Sequence, residues 1–189
     1  MTEKTSSRQA IVDAAAQLIR TRGVHGTSIA QLVATSGTSA GAIYHHFSDK
    51  NAVVVAVARE TIAGPLIALN AYRDRPASPA ELASYAMTAL ALAPELGDLL
   101  AQLGAGAGID DELGQRLRAE FATLRDSLEQ TMLAWAAVND VPVARVRGYE
   151  QLLAGLTLGY ASQRILMDRF DEAAYRTQAV ELLRLPESR

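Results

Sequence analysis

Residues 23–50 read GVHGTSIAQLVATSGTSAGAIYHHFSDK, and the order of small, polar and apolar residues there decides the fold. Thr27 or Ser28 can cap a short helix, because a hydroxyl oxygen accepts one of the first unpaired backbone N–H groups. The inward face of that helix is Ile29, Leu32 and Val33, at helical spacing. It ends near Thr35, and Ser36-Gly37 makes the turn. Ser39 caps the next helix, with Ile43 and Phe47 inward, one turn apart, and Ala40, Tyr44 and His45 outward. Two helices of roughly two turns joined by a glycine turn form a helix-turn-helix pattern. Ser48-Asp49 ends the second of them and caps another helix starting at Lys50.

Upstream, Ser6 with Gln9 forms an S-x-x-Q capping box. Ile11, Ala14, Ala15, Leu18 and Ile19 then recur along one helical face, and Gly23 is placed to close the helix in a left-handed conformation. Downstream, a helix from Lys50 runs through Val53, Val54, Val57 and Ile62 towards about Tyr72, and Gly64-Pro65 should kink or interrupt it. A loop over 73–80 is followed by helical periodicity from Glu81. Pro94 and the Gly104–Gly108 stretch mark further boundaries. Long helices are expected over 111–138 and 143–168, separated by a turn at 139–142. Asp171 caps a last helix to about Leu185. No alternating strand pattern occurs. The expected fold is all-α: an N-terminal three-helix helix-turn-helix domain over 1–49, and a larger C-terminal helical domain over 50–189.

Composition agrees. Of 189 residues 49% are apolar, enough for a substantial core, while aromatics are only 5%, so helices are favoured over strands. The absence of cysteine excludes disulfides, thiolate metal sites and thiol nucleophiles. The opening MTEKTSSRQ is polar, so no signal peptide is expected, and no uninterrupted stretch reads as a membrane span. A soluble cytoplasmic protein with no membrane partner is the expectation. The net charge is −3, yet residues 1–50 hold five basic against three acidic side chains, and the remainder 13 against 18. A mildly basic segment on an acidic body suits a nucleic-acid-facing part.

The ordered set Gly37, Ser39, Gly41, Ile43, Tyr44, Phe47 and Lys50 resembles the DNA-binding domain of the TetR family (tetracycline-repressor-like regulators). The similarity covers about residues 7–55. It implies that Tyr44 meets a phosphate through its hydroxyl, that Lys50 meets another, and that the last two helices of each chain build a four-helix dimer interface. Small residues at Ser39, Ala40, Gly41 and Ala42 would let the helix enter the major groove closely. Helix starts at Thr27, Ser28 and Ser39 offer backbone N–H groups to phosphates. His45 is placed for a phosphate or a base edge, and Thr38 for the DNA backbone or a thymine methyl. The chain departs from the family pattern at Val33 and Ser36, where alanine is frequent, and at Ala40, where a basic residue is frequent. Val33 adds core volume and Ser36 can hydrogen-bond within the turn. Ala40 lacks a charge, so phosphate affinity or base choice will differ.

Plainer readings compete. Outside this motif Tyr44 would read as a surface aromatic. Adjacent His45 and His46 point about 100° apart on a helix and have no third ligand, so no metal site is expected. Asp110-Asp111-Glu112 reads as a solvated helix start. Tyr85, Met87, Phe121, Trp135, Tyr149 and Met167 are the candidates for lining a small-molecule pocket, though a residue of this kind taken singly is more often core. Leu152, Leu153, Leu156, Leu158, Tyr160 and Ile165 surround nearly the whole of one helix, which therefore needs apolar partners on two sides. Either its own domain supplies one and a second subunit the other, with Leu152, Leu153, Leu156, Tyr160 and Ile165 as the dimer candidates, or the helix is buried wholly within its own domain. The function expected is a homodimeric repressor that binds a near-palindromic double-stranded DNA operator and is released by a small-molecule effector. Two alternatives are a DNA-binding regulator without an effector, and an all-helical enzyme. No nucleophile–base pair, metal set or cofactor loop favours the enzyme, and no cofactor is expected.

Overall fold

Nine α-helices and one 3-10 turn make up the regular structure of residues 6–185, the part that the computed structural model describes. Glu3 and Lys4, counted above in the N-terminal charge, lie outside them. The helices are α1 (Ser7–Arg22), α2 (Ile29–Ser36), α3 (Ala40–His46), α4 (Lys50–Asn70), α5 (Pro79–Leu92), α6 (Pro94–Ile109), α7 (Asp111–Val138), α8 (Tyr149–Leu166) and α9 (Glu172–Leu182), with the 3-10 turn at Val143–Arg145. No strand occurs among the described residues. The fold is all-α.

Two compact units emerge. The first contains residues up to Thr61 together with Leu99–Phe121; the second contains Ile62–Asp98 and the residues from Ala122 onward. These units do not follow a division at 49/50. The first half of α4, most of α6 and the start of α7 belong with α1–α3. The reason is a shared apolar core: Ile11, Ile19, Leu32 and Ile43 pack in one cluster with Val53, Val57, Leu103 and Leu113. A three-helix domain alone would bury little apolar area, and small domains are marginal for that reason.

Glycine acts in opposite ways within the first unit. Gly37 ends α2 at φ +67, ψ 17, the left-handed conformation that a side chain disfavours. Gly106, by contrast, sits inside α6. A Cβ there would come 2.8 Å from a Val24 methyl, so the absence of a side chain lets the backbone pack onto Val24. This corrects the expected boundary at Gly104–Gly108: α6 runs through it, because tertiary packing offsets the poor helix propensity of glycine. Likewise α4 continues past Gly64-Pro65 to Asn70. As one unbroken helix, α4 is long and apolar enough to cross a membrane, contrary to the sequence expectation. Its apolar character has another use here: Val53, Val54, Val57 and Ala58 are buried in the core, and Arg59 and Glu60 at mid-helix pair with Glu120 and Arg8.

The second unit is built from smaller clusters. Ala77, Leu82, Met132, Leu153 and Leu183 form one; Met87, Leu90, Tyr160 and Ala179 form another; Ala136, Val141 and Val146 form a third. Ser78 and Glu81 cap α5 reciprocally with Pro79 in its first turn, so this helix starts before Glu81. Helix α8 starts at Tyr149 rather than 143, because the chain first makes the 3-10 turn and then a left-handed Gly148. Asp171 caps α9 by accepting from the Ala174 N–H at 2.9 Å.

Candidate nucleic-acid interface

The segment 23–50 folds as its caps dictate. The Ser6 hydroxyl accepts from the Gln9 N–H and begins α1; Gly23 ends α1 at φ +74 but with ψ 170, outside the left-handed helical region. Ser28, not Thr27, is the cap of α2: its hydroxyl accepts from the Gln31 N–H, while the Gln31 side chain accepts from the Ser28 N–H at 2.8 Å. Ser36 binds the turn internally. It donates to the Leu32 carbonyl at 2.6 Å, shares a 2.8 Å hydrogen bond with the Thr38 hydroxyl, and accepts from the Thr38 N–H. Ser39 then caps α3 by accepting from the Ala42 N–H at 3.1 Å.

Helix α3 is anchored by one side only. Ile43 is fully buried and Phe47, which ends the helix, nearly so, with the Arg8 guanidinium 5.4 Å from the Phe47 ring centre. The opposite side is open: Ser39, Ala40, Gly41, His45 and His46 are exposed, and Tyr44 is 57% exposed. An aromatic ring left that open in a seven-residue helix contributes little to the core, so the face that carries it is available for contact. Ala42 and Thr38 are half-buried at the edge of this face.

Two expected contacts sit differently. Thr27 is 2% exposed and its hydroxyl donates to the Gly23 carbonyl at 2.9 Å, so its side chain holds the loop and does not reach outward. Lys50 is half-buried and its Nζ donates to the Val24 carbonyl at 3.3 Å. An ammonium has three donors, so one bond to a carbonyl leaves two for a phosphate.

The start of α4 is fixed by Asp49, whose carboxylate accepts from the Ala52 N–H at 2.6 Å. That hydrogen bond holds the Asp49 carboxyl below the usual carboxylate range, burial opposes it, and Ser48 and Arg116 lower it further. Asp110 does the same for α7. It accepts from the Leu113 N–H and from the Asn51 side chain, and these bonds likewise depress its pKa. The acidic run at Asp110 is thus a helix cap, and no group of metal-binding side chains occurs among the described residues.

Residues 11–57 match the family model described as "Bacterial regulatory proteins, tetR family". Through that segment the chain is similar to the TetR family. Over 62 residues it is 42% identical to the HTH-type transcriptional repressor AcnR of Corynebacterium diphtheriae, covering 33% of each chain. Over 53 residues it is 38% identical to the HTH-type transcriptional regulator BetI of Escherichia coli, covering 28% of this chain and 27% of the other. The match therefore spans about a third or less of these curated relatives. The fold similarity reaches further. The transcriptional regulator FadR of Bacillus subtilis, solved in complex with stearoyl-CoA, superposes with a TM-score of 0.74 at 17% identity, covering 92% of this chain and 96% of FadR. NalD of Pseudomonas aeruginosa, the secondary repressor of the MexAB-OprM multidrug efflux pump, gives a TM-score of 0.72 at 21% identity, covering 94% of each. At such identities the likeness shows the fold alone, over nearly the whole length of both chains.

The pocket candidates are scattered. Phe121 packs against the core of the first unit. In the second unit Met87, Tyr149 and Trp135 belong to three different clusters, while Tyr85 and Met167 are exposed. The dimer candidates also divide. Leu153 and Tyr160 are buried in their own unit and Leu156 is half-buried, whereas Leu152 and Ile165 are exposed. Leu158, which the sequence places on the same apolar helix, is exposed, and so is Leu166. The Tyr160 hydroxyl donates to the Glu172 carboxylate; burial, with Glu172 adding, pushes the phenol up to about 12.

Proposed function

We propose that this chain is a dimeric transcriptional repressor that binds operator DNA through α3 and is released by a small molecule. The observation that carries the DNA-binding part is the one-sided anchoring of α3 within a matching TetR-family segment: Ile43 and Phe47 inside, Tyr44 and the small residues from Ser39 to Ala42 outside. The TetR-family reading makes a regulator, not an enzyme, the supported class. The contact set is Ser28, Thr38, Ser39, Ala40, Gly41, Ala42, Tyr44, His45 and Lys50. Tyr44 and Lys50 serve phosphates, and the short side chains allow close approach to base edges. Thr27 contributes through its backbone and by shaping the loop.

Dimerisation is supported by the open face of α8. Leu152, Leu158, Ile165 and Leu166 are exposed apolar residues on it, and an exposed Gly155 lies between them with nothing within 4 Å of where its Cβ would be. No contact among the described residues requires glycine there, whereas a second helix approaching closely would. A two-fold dimer then presents two α3 helices to a near-palindromic site. Work on cytoplasmic DNA follows from this role.

Effector response is supported by what relatives of the fold do: FadR was solved with stearoyl-CoA bound. One observation favours the second reading, a regulator without an effector, since the pocket candidates do not converge on one cavity. Fluorescence anisotropy with duplex DNA from upstream of the gene for this protein, against unrelated duplex at one fixed salt concentration, tests the DNA-binding part. Tight binding to the upstream duplex, weakened by Tyr44→Ala, is expected. No binding to any duplex at low salt would overturn it.

A further inference from the structure

A cleft of about 280 Å³ lies in the second unit between α5 and α9. Ser84, Thr88 and Thr177 line it with Arg176 and Glu181, together with apolar Met87 and Val180; the Thr177 hydroxyl is engaged with the Ala173 carbonyl. Its size is at the low end for a ligand site, so it suits a small molecule. Only Met87 among the sequence-derived pocket candidates reaches it.

The unusual group is Arg176. Its Nε is buried and has no hydrogen-bond partner among the described residues. Among the described residues no ion pair engages it. The acids on its own helix are occupied elsewhere: Glu172, one turn earlier, accepts from the Tyr160 hydroxyl, and Glu181 pairs with Arg184 at 3.0 Å. A half-buried guanidinium with an orphaned donor is costly to keep. Its planar fork matches a carboxylate or a phosphate through two parallel hydrogen bonds.

We propose that the α5–α9 cleft binds the carboxylate or phosphate group of a small organic anion. Arg176 is the anchor, with the Ser84 and Thr88 hydroxyls as further donors and Met87 and Val180 against the apolar part. Binding is read without DNA, so its outcome is independent of the repressor function proposed above.

The probes are benzoate, its uncharged isostere benzamide, and inorganic phosphate, each titrated into the full chain at constant ionic strength. Calorimetry gives affinity, and the Arg176 Nε–H resonance gives location. Benzoate, phosphate or both should bind and move that resonance, with benzamide at least tenfold weaker. Benzoate alone would mean a carboxylate site, phosphate alone a phosphate-ester site, and both a general anion site. Arg176→Gln should weaken binding at least tenfold, Arg176→Lys should retain part of it, and exposed Arg145→Gln should leave it unchanged. If Arg176→Gln fails to fold, the wild-type resonance still decides. An Arg176 signal unmoved by either anion, or Arg176→Gln binding as wild type does, overturns the proposal.

Discussion

The two units of this molecule hold themselves together differently. The first concentrates its apolar residues in one continuous cluster, fixes its helix starts with Ser6, Ser28, Ser39, Asp49 and Asp110, and exposes Tyr44 beside the small residues Ser39, Ala40 and Gly41 and the imidazoles of His45 and His46. The second divides its core into separate clusters and leaves Leu152, Leu158, Ile165, Leu166 and Leu182 exposed. A unit that is complete within one chain suits a module that must present the same face to DNA each time. A unit with unburied apolar helices suits one that gains stability from a second copy or a ligand.

The largest effect should come from the core of the first unit. Ile43→Ala leaves a void under α3 and should cost about 2–5 kcal/mol in urea unfolding. Ile165→Ala on the exposed face of α8 should change the stability of a dissociated chain by no more than about 0.5 kcal/mol. Equal losses at the two positions would erase the contrast.

Next comes Gly155. In a lone chain Gly155→Gln meets open space and should raise stability by up to about 1 kcal/mol, because glycine is a poor helix former. In the proposed dimer it should prevent close packing and shift sedimentation from dimer to monomer. An unchanged dimer would mean that copies meet elsewhere.

Removing the α2 cap by Ser28→Ala should cost about 1 kcal/mol, read as a lowered midpoint of thermal unfolding. Thr27→Val should lower stability too, by loss of the hydrogen bond to Gly23, although its neighbour carries the cap.

The smallest effects are in pH dependence. Asp49 and Asp110 in the first unit and Glu81 in the second have depressed pKa values, chiefly from backbone N–H donors. Their stabilisation is therefore complete above the ordinary carboxylate range near about 4, and is lost as pH falls below it. Tyr160 has the opposite sign. Its neutral form is favoured in the folded state, so its contribution is full below about 10 and is lost as pH rises through about 12. Phenolate absorbance of wild type against Tyr160→Phe should isolate that step.

Caps were the most legible feature of the sequence. Ser6 with Gln9, Ser39 and Asp171 each begin a helix where a hydroxyl or carboxylate meets an amide three residues on. At Thr27-Ser28 both side chains can cap, and only the backbone path decides that Ser28 does. Breakers were less legible, since their effect depends on what lies beside them: Gly106 reads as an interruption until Val24 is found packed on it. The same holds for apolar residues on α8. The sequence pattern announces a helix apolar on nearly every side. It does not say which side meets its own core: Leu153 and Tyr160 are buried, while Leu152 and Ile165 are exposed. Pocket residues are least legible, because burial of an aromatic side chain does not reveal which space it borders.

The most direct test is a hydroxyl-radical footprint of the purified chain on duplex DNA that carries its own upstream region. Two protected patches centred about 34 Å apart along the helix axis, or a multiple of that, are expected, and Tyr44→Ala should abolish both. No protection, or protection that Tyr44→Ala leaves intact, would contradict DNA recognition by a pair of α3 helices.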